Sequence, residues 1–232
     1  MTIVGLIPCG GKAERLHGLP KYLMPVPGST YALAEMCRKL HAVKGLDWVY
    51  VCSGLHNQRL VDEYTPPQGN KVYRADSPSM CGAVLDAKQH TGDNSVIMAM
   101  ADTFFTDEAV LGKMAAELSA GADCCVALWS TRPDQRSKLG MCAYDKKTMA
   151  LLEVDDKPER TALTHAWGAI GWKVRFYDYI KETHAHMGIA LNNAVAAGLT
   201  VKVVVADGEY HDLGTIDSVT RFYAQFEKVG VK

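Results

Sequence analysis

Short apolar runs alternate with amphipathic segments along the first part of the chain. Buried strands are predicted at residues 3–7, 47–53, 95–101 and 123–130, with a shorter strand at 71–74. Apolar residues recur at helical spacing in the intervening segments 30–43, 56–64, 81–90 and 106–120. Strands that alternate with helices indicate right-handed crossovers. The pattern therefore predicts an α/β, three-layer, Rossmann-like fold with a mixed, mostly parallel sheet and helices on both faces.

The pattern changes after Gly140. Three candidate strands follow, with few helices between them, at residues 141–145, 149–154 and 165–172. Helices are then predicted at 174–183, 185–197 and 215–229, and a strand at 199–206. This succession is typical of a β-rich region inserted into an α/β domain. No repeat or linker interrupts the sequence, so we expect a single domain over residues 1–232, with halves at 1–130 and 131–232.

Composition and charge narrow the classes of function. The 232 residues are 48% hydrophobic and 22% charged, which is typical of a folded protein. Because 25 Lys and Arg balance 26 Asp and Glu, we expect no nucleic-acid partner and no membrane partner. The sequence has no signal-peptide pattern and no apolar run of about eighteen residues, so a cytoplasmic protein is predicted. The seven cysteines form no CxxC pair and lie mostly in apolar runs, so we expect buried, reduced thiols.

The segment IPCGGKAERLHGLPKYLMPVP, residues 7–27, carries the first candidate chemistry. Gly10 and Gly11 let the backbone approach a ligand and direct N–H groups at it. The cations Lys12, Arg15 and Lys21 follow at short intervals. A strand, a glycine turn and spaced cations are what a triphosphate requires, although this segment alone would also fit an ordinary loop with a solvated basic rim.

Three later features complete a set. Asp102 ends a buried strand, Asp156-Lys157-Pro158 follows another, and YHDLGT spans residues 210–215. With CGGKAERL and the Pro20-Lys21 pair, this order resembles the sugar-1-phosphate nucleotidyltransferase (nucleotide-sugar pyrophosphorylase) family. The signatures of that family are a GGxGTRL loop with a following PK pair, a strand-end Asp, an EKP segment and a W-x-D-x-G-T segment. The resemblance implies a GT-A-like nucleotidyltransferase fold, with a nucleotide-binding half at 1–130 and a sugar-phosphate-binding half at 131–232.

The resemblance implies a role for each matching residue on the nucleotide side. Arg15 would draw the β- and γ-phosphates and Lys21 the α-phosphate, while Asp102 and Asp212 would hold Mg²⁺. The remaining nucleotide-binding residues are expected to be Cys9, Gly10, Gly11, Lys12 and, beside the base, Gly82.

The same resemblance assigns the sugar-phosphate side. Lys157 would grip the phosphate of the sugar phosphate, next to Asp156, which replaces the usual glutamate. Gly140 and Gly168 fall where the family places glycines beside the sugar. The implied catalytic residues are thus Arg15, Lys21, Asp102 and Lys157. The implied partners are a nucleoside triphosphate and a sugar 1-phosphate, and a homo-oligomer is a further option.

The chemistry of this reaction is consistent with the same residues. A phosphate oxygen attacks the α-phosphorus of the triphosphate and pyrophosphate leaves in line, so cations and Mg²⁺ must bring two anions together. No general base is needed, because a phosphate monoester near neutral pH is already a nucleophile. The chain departs from the family at Ala13-Glu14, which replace Gly-Thr, and a carboxylate at Glu14 would repel a triphosphate unless it turns outward.

Other functions remain open at this point. A cytidylyltransferase for a polyol, choline or terpenoid-precursor phosphate would share the loop and the Pro20-Lys21 pair. A non-catalytic nucleotide-sugar-binding regulator is a second alternative. A Rossmann dehydrogenase fits least, because the loop lacks the third glycine of GxGxxG. His184 and His186 have no acid at metal-ligand spacing and are expected at the surface.

Overall fold

A computed structural model describes residues 2–75, 77 and 79–227. The strands within these residues are β1 (Ile3–Pro8), β2 (Leu46–Ser53), β3 (Asn70–Arg74), β4 (Ser95–Ala99), β5 (Thr103–Phe105), β6 (Cys124–Ser130), β7 (Gly140–Asp145), β8 (Ala150–Asp156), β9 (His165–Trp172), β10 (Val201–Val205) and β11 (Tyr210–Asp212). The helices are α1 (Ala32–His41), α2 (Gln58–Tyr64), α3 (Met80–Thr91), α4 (Val110–Ser119), α5 (Met187–Ala196) and α6 (Ile216–Glu227). Short 3-10 helices occupy Glu14–Leu16, Lys21–Leu23, Pro133–Lys138 and Val174–Tyr179.

Nine strands form one mixed sheet in the order β3-β2-β1-β4-β9-β6-β10-β8-β7. The pairs β3–β2, β2–β1, β1–β4 and β6–β10 are parallel. The pairs β4–β9, β9–β6, β10–β8, β8–β7 and β7–β9 are antiparallel. The prediction of a mostly parallel sheet was therefore wrong. β9 inserts between β4 and β6 in the opposite direction, and because β7 also pairs with β9, the strands β9, β6, β10, β8 and β7 close on themselves.

The predicted layer of helices on each face of the sheet is confirmed. Along β4, Val96 and Met98 join one core cluster while Ile97 and Ala99 join the other, because successive side chains point to opposite faces. The first cluster contains the buried face of α3 and α5, and the second contains that of α1 and α4. All seven cysteines are buried and free of disulfides, as predicted.

A two-stranded antiparallel sheet lies beside the carboxyl end of β4. β5 pairs with β11 so that Thr103 is opposite Asp212, and the Leu213 N–H donates to the Asp102 carbonyl oxygen at 2.8 Å. This small sheet carries the YHDLGT segment to the end of β4. The helix predicted from residue 106 begins only at Val110, because the preceding residues leave this strand first.

The second half contains one further difference. The helix predicted at 174–183 is a short 3-10 helix, Val174–Tyr179, followed by a turn, and α5 begins at Met187. The end of the closing helix predicted at 215–229 lies partly outside the described residues. Within the described part of the chain, no helix combines the length and the apolar character that crossing a membrane requires.

Candidate active site

The glycine loop after β1 packs against the loop that follows β2, and Asn57 joins the two. The Asn57 Nδ2 donates to the Cys9 carbonyl oxygen at 2.7 Å, and its Oδ1 accepts from the Gly54 N–H at 2.8 Å. A Cβ on Gly10 would lie 3.3 Å from the Gly54 nitrogen. Gly10 is therefore required by the close approach of two backbones. A Cβ on Gly11 would meet no described atom within 4 Å, so its backbone is open to a ligand.

A cavity of about 270 Å³, here called the first cavity, opens between this loop and the start of α3. Its lining residues include 8–11 and 52–54, the apolar residues Met80, Ala83 and Met100, and the charged residues Arg15, Lys21 and Asp102. The walls are thus largely apolar near α3 and charged where the loop meets the end of β4. Such a division suits a ligand with a flat apolar part and an anionic part.

Ala13 gives the loop its shape at an energetic cost. It has φ 51° and ψ 34°, which is the left-handed region. Glycine adopts this conformation freely, whereas an L-residue loses about 1–2 kcal/mol there. The glycine that the family has at this position therefore matches the local backbone. Glu14 is exposed and does not line the first cavity, although it lines a wider opening beside the loop together with Arg15 and Lys21.

Three charged side chains line the polar end of the first cavity, namely Arg15, Lys21 and Asp102, and Asp212 lies next to them. Lys21 Nζ lies 3.4 Å from Asp102 Oδ2, and these side chains are only 14% and 25% exposed. Burial and, next, the charge of Asp102 raise the pKa of Asp212, while Lys21 and Arg15 oppose that shift. Asp212 is therefore within electrostatic reach of the other three. The structure thus brings together Arg15, Lys21, Asp102 and Asp212, which lie far apart in the sequence.

The carboxylates of Asp102 and Asp212 could hold a divalent cation. Burial is the largest cause of the raised pKa of Asp212 and the charge of Asp102 the next, and a cation between the two carboxylates would offset both effects. The described residues contain no group of three or more His, Cys, Asp or Glu side chains suited to a metal. Two carboxylates fit Mg²⁺, which usually takes the rest of its ligands from phosphate oxygens and water.

The residues predicted for the sugar phosphate meet around Trp167. A Cβ on Gly140 would overlap Trp167 Nε1 and would lie 3.3 Å from Asp156 Oδ1. The Nε1 of Trp167 is buried and has no hydrogen-bond partner among the described residues. Gly168 lies nearby, where a Cβ would be 2.5 Å from Tyr210 Cε2. Both glycines therefore leave space that an aromatic ring occupies.

Lys157 follows β8 in an unusual conformation. Its φ is 52°, and its N–H donates to the Leu139 carbonyl oxygen at 3.0 Å. Its Nζ lies 3.5 Å from Asp156 Oδ2, and the side chain is 58% exposed. Lys157 does not line the first cavity. A bound ligand would have to draw its flexible side chain inward.

Three other predicted residues differ in their positions. The Cys9 thiol is buried, which raises its pKa well above the ordinary value, so only its backbone is offered to the first cavity. Lys12 is exposed and does not line the first cavity, but it lines a wider opening beside the loop together with Gly11, Arg15 and Lys21. Gly82 lies in the first turn of α3, where a Cβ would overlap the Ser77 hydroxyl, and its N–H donates to Ser79 Oγ at 2.9 Å. The wall of the first cavity is formed instead by Met80 and Ala83.

Sequence reasoning missed Asn57 and His186. Asn57 directly precedes α2, where asparagine is common as a helix cap, so nothing marked it as a clamp on the loop after β1. His186 was expected at the surface, but its Nε2 lies 4.0 Å from Asp156 Oδ2 and its side chain is 27% exposed. The Asp-Lys-Pro motif marked Asp156, yet no local signal linked it to a histidine so far along the chain.

Comparison with known proteins identifies the fold and the family. The family model described as "MobA-like NTP transferase domain" matches residues 5–188. A search of the curated proteins gave no match. A Bacillus anthracis structure described as a glucose-1-phosphate thymidylyltransferase in complex with sucrose superposes with a TM-score of 0.83 at 19% identity, covering 97% of this chain and 95% of that chain.

Two further solved structures are similar. A UDP-glucose pyrophosphorylase complexed with UDP-glucose has a TM-score of 0.83 at 15% identity, with 98% of this chain and 100% of that chain covered. A UTP-bound UGPase from Acinetobacter baumannii has a TM-score of 0.80 at 13% identity, with 100% and 95% covered. These similarities establish a shared nucleotidyltransferase fold. The family match and this fold confirm the resemblance inferred from the motifs, and the chain belongs to the family of MobA-like NTP transferase domains.

Proposed function

We propose that this nucleotidyltransferase joins a nucleoside triphosphate and a sugar 1-phosphate, giving a nucleotide sugar and pyrophosphate, with Mg²⁺ held by Asp102 and Asp212. The observation that carries the proposal is that Arg15, Lys21 and Asp102 line one end of the first cavity and that Asp212 lies within electrostatic reach of all three. Two anionic reactants need cations to meet, and a divalent metal needs the carboxylates.

The first cavity accommodates the nucleotide. The base and ribose lie along the apolar walls near α3, and the triphosphate extends to Arg15 and Lys21. Backbone N–H groups near Gly11, where no side chain intrudes, add donors for phosphate oxygens. Lys21 is paired with Asp102 at 3.4 Å, so an arriving phosphate takes over part of that interaction.

The acceptor phosphate approaches from the side of Gly140 and Asp156. One of its oxygens forms a bond to the α-phosphorus while the bond from that phosphorus to the bridging oxygen breaks, and the electron pair leaves with pyrophosphate. When bound, Mg²⁺ supplies positive charge that orients the triphosphate and stabilises the negative charge on the leaving group. Arg15 and Lys21 stabilise the same developing charge from the protein side.

The sugar itself is recognised beside Gly140 and Gly168, along the aromatic rings that pack against these glycines. Asp156 accepts from sugar hydroxyls, and the Trp167 ring forms the wall beside Gly140. Lys157 turns from Asp156 to the acceptor phosphate, which its exposed side chain and its long Nζ–Oδ2 distance of 3.5 Å permit. The structures that share this fold include a thymidylyltransferase of glucose 1-phosphate and UDP-glucose pyrophosphorylases, which favours a sugar 1-phosphate as acceptor.

The test is pyrophosphate release with Mg²⁺, in which the four common nucleoside triphosphates are crossed against sugar 1-phosphates, choline phosphate and polyol phosphates. The proposal predicts turnover with a sugar 1-phosphate, lost on chelation of the metal. Turnover with CTP and a non-sugar phosphate alone would assign the chain to the cytidylyltransferases instead. Triphosphate binding without turnover in any combination would contradict the proposed reaction.

A further inference from the structure

Arg15, Lys21, Asp102 and Asp212 are here called the charged centre. A second cavity, of about 100 Å³, adjoins this centre and is lined by two of its members, Arg15 and Asp212. Its other walls come from the 3-10 helix Pro133–Lys138 with its flanking residues and from the start of α6. Three further cations line it, namely Arg132, Lys138 and Arg221. None of the three belongs to a motif of the family, so neither the sequence nor the proposed function assigns this cavity a role.

The described residues that line the second cavity carry an excess of positive charge. Arg15, Arg132, Lys138 and Arg221 give four positive charges, and Asp134 and Asp212 give two negative ones, which leaves an excess of two.

The excess is not consumed by internal ion pairs. Asp134 pairs with Arg221 and, at 3.3 Å, with Arg132, but all three side chains are about half exposed. Ion pairs of this kind contribute little to stability, so the guanidinium groups can exchange Asp134 for a ligand at small cost. Asp212 is one of the two carboxylates proposed to hold Mg²⁺, so it does not neutralise these guanidinium groups. The second cavity is therefore suited to an anion.

The size of the second cavity limits what it can hold. Small-molecule sites are typically about 300–1,000 Å³, so this one has room for a single phosphate or carboxylate and not for a nucleoside. At the start of α6, the Thr215 N–H donates to Ser218 Oγ at 3.0 Å and the Ser218 N–H donates to Thr215 Oγ1 at 3.2 Å, so neither of these N–H groups is free for a ligand. Recognition would rest on the arginine and lysine side chains.

The second cavity lies on the acceptor side of the charged centre. Leu139 lines it, and the Leu139 carbonyl oxygen accepts from the Lys157 N–H at 3.0 Å. Leu139 also directly precedes Gly140, beside the predicted sugar position. The triphosphate already has Arg15 and Lys21 in the first cavity, so the additional cations are left for the other reactant.

We propose that the second cavity binds a second anionic group, a carboxylate or a phosphate, carried by the acceptor in addition to the phosphate that attacks. The acceptor is then a sugar phosphate bearing a further acid group, and Arg132 and Arg221 are residues that determine specificity for it. This inference rests on the proposed nucleotidyl transfer and narrows its substrate class.

The test compares acceptors that differ in one anionic group. Pyrophosphate release is measured with the productive triphosphate and glucose 1-phosphate, glucuronic acid 1-phosphate or glucose 1,6-bisphosphate. We expect kcat/KM for at least one doubly anionic acceptor to exceed that for glucose 1-phosphate by about tenfold or more, as a charged hydrogen bond provides. In the double variant Arg132→Gln/Arg221→Gln, the ratio of kcat/KM for the doubly anionic acceptor to kcat/KM for glucose 1-phosphate should fall towards one. Lys138→Gln should lower it in the same direction and serves as the readout if the double variant fails to fold.

Lys147→Gln is the matched control, because it removes an exposed positive charge at the opposite end of β7 from Gly140. It should leave the ratio unchanged. A wild-type preference for glucose 1-phosphate would overturn the proposal. The proposal would also be overturned if the double variant lost activity equally with all acceptors or lost none. The Arg221–Asp134 ion pair would then only stabilise the position of α6. A higher KM for the triphosphate or weaker inhibition by pyrophosphate, with the acceptor ratio intact, would assign the cavity to the leaving group.

Calorimetry separates this proposal from the proposed reaction. If no acceptor releases pyrophosphate, the proposed function fails, and the binding of glucuronic acid 1-phosphate and glucose 1-phosphate is compared directly. Tighter binding of the doubly anionic compound to the wild type, lost in the double variant, would still support the anion site. Equal binding of the two compounds would overturn it.

Discussion

Replacing Asn57 with alanine should loosen the nucleotide loop without removing any side chain that lines the first cavity. Asn57 is only 7% exposed, and both ends of its amide are used: Nδ2 donates to the Cys9 carbonyl oxygen at 2.7 Å, and Oδ1 accepts from the Gly54 N–H at 2.8 Å. These bonds join the loop after β1 to the loop after β2. Their loss should therefore change both stability and nucleotide binding.

The magnitude follows from the two bonds. Each hydrogen bond contributes about 0.5–1.5 kcal/mol, and each buried group left without a partner costs about 1–3 kcal/mol, so we expect a loss of about 3 kcal/mol in the free energy of unfolding. For a chain of this size, that lowers the midpoint of thermal unfolding by about 6–12 °C. The displaced loop should raise the KM for the triphosphate about tenfold, equivalent to about 1.4 kcal/mol.

Asn192 provides a matched control. Its Oδ1 accepts from the Val154 N–H at 2.8 Å and its Nδ2 donates to the Val154 carbonyl oxygen at 2.9 Å, which joins α5 to β8. Asn192→Ala removes the same two kinds of bond far along the chain from the nucleotide loop. It should cost comparable stability and leave the KM for the triphosphate unchanged. The reasoning is refuted if Asn57→Ala keeps the wild-type midpoint and KM, or if both variants raise that KM equally.

Three further variants test separate parts of the account. Ala13→Gly should relieve the left-handed backbone strain and raise the midpoint of thermal unfolding by about 1–4 °C. The control Ala116→Gly, in an exposed turn of α4, should lower that midpoint by a similar amount. A lower midpoint for Ala13→Gly than for Ala116→Gly would contradict the strain at Ala13. Asp212→Asn should raise the midpoint of the metal-free protein by about 2–4 °C at pH 7 and leave it unchanged at pH 3. The folded-state pKa of Asp212 is raised above its ordinary 3.8, so ionisation of this carboxyl costs more in the folded protein than in the unfolded chain. The wild type therefore loses stability as the pH rises above that value, and a neutral Asn avoids the loss. Lys157→Ala should raise the KM for the sugar phosphate about tenfold more than the KM for the triphosphate, and equal effects would remove Lys157 from the acceptor side.

The sequence predicts those strands and helices whose hydrophobic pattern depends only on the burial of the element itself. β1, β4 and β6 are continuous apolar runs because helices cover both of their faces, and such runs can be read without knowing their neighbours. The charged centre was predictable for a related reason. Asp102 stands at the end of one such run and Lys21 in the loop after another, so both reach the same edge of the sheet.

The direction and order of strands depend on tertiary contacts. β9 is as apolar as a parallel strand, and nothing in its periodicity reveals that it runs against both β4 and β6. β5 has three residues and was not predicted, since it lies between the predicted strand 95–101 and the predicted helix 106–120, although its pairing with β11 is what carries Asp212 to Asp102. The second cavity was likewise invisible, because Arg132 and Arg221 meet only when α6 packs beside the 3-10 helix.

The central claim is that Asp102 and Asp212 hold the Mg²⁺ that nucleotidyl transfer requires. The most direct test is pyrophosphate release over a Mg²⁺ titration by the wild type and by Asp102→Asn, with circular dichroism to confirm that both are folded. We predict Mg²⁺-dependent turnover for the wild type and a loss of at least about a hundredfold in kcat for the variant at every metal concentration. Turnover by Asp102→Asn with the wild-type rate and the wild-type Mg²⁺ dependence would contradict the account.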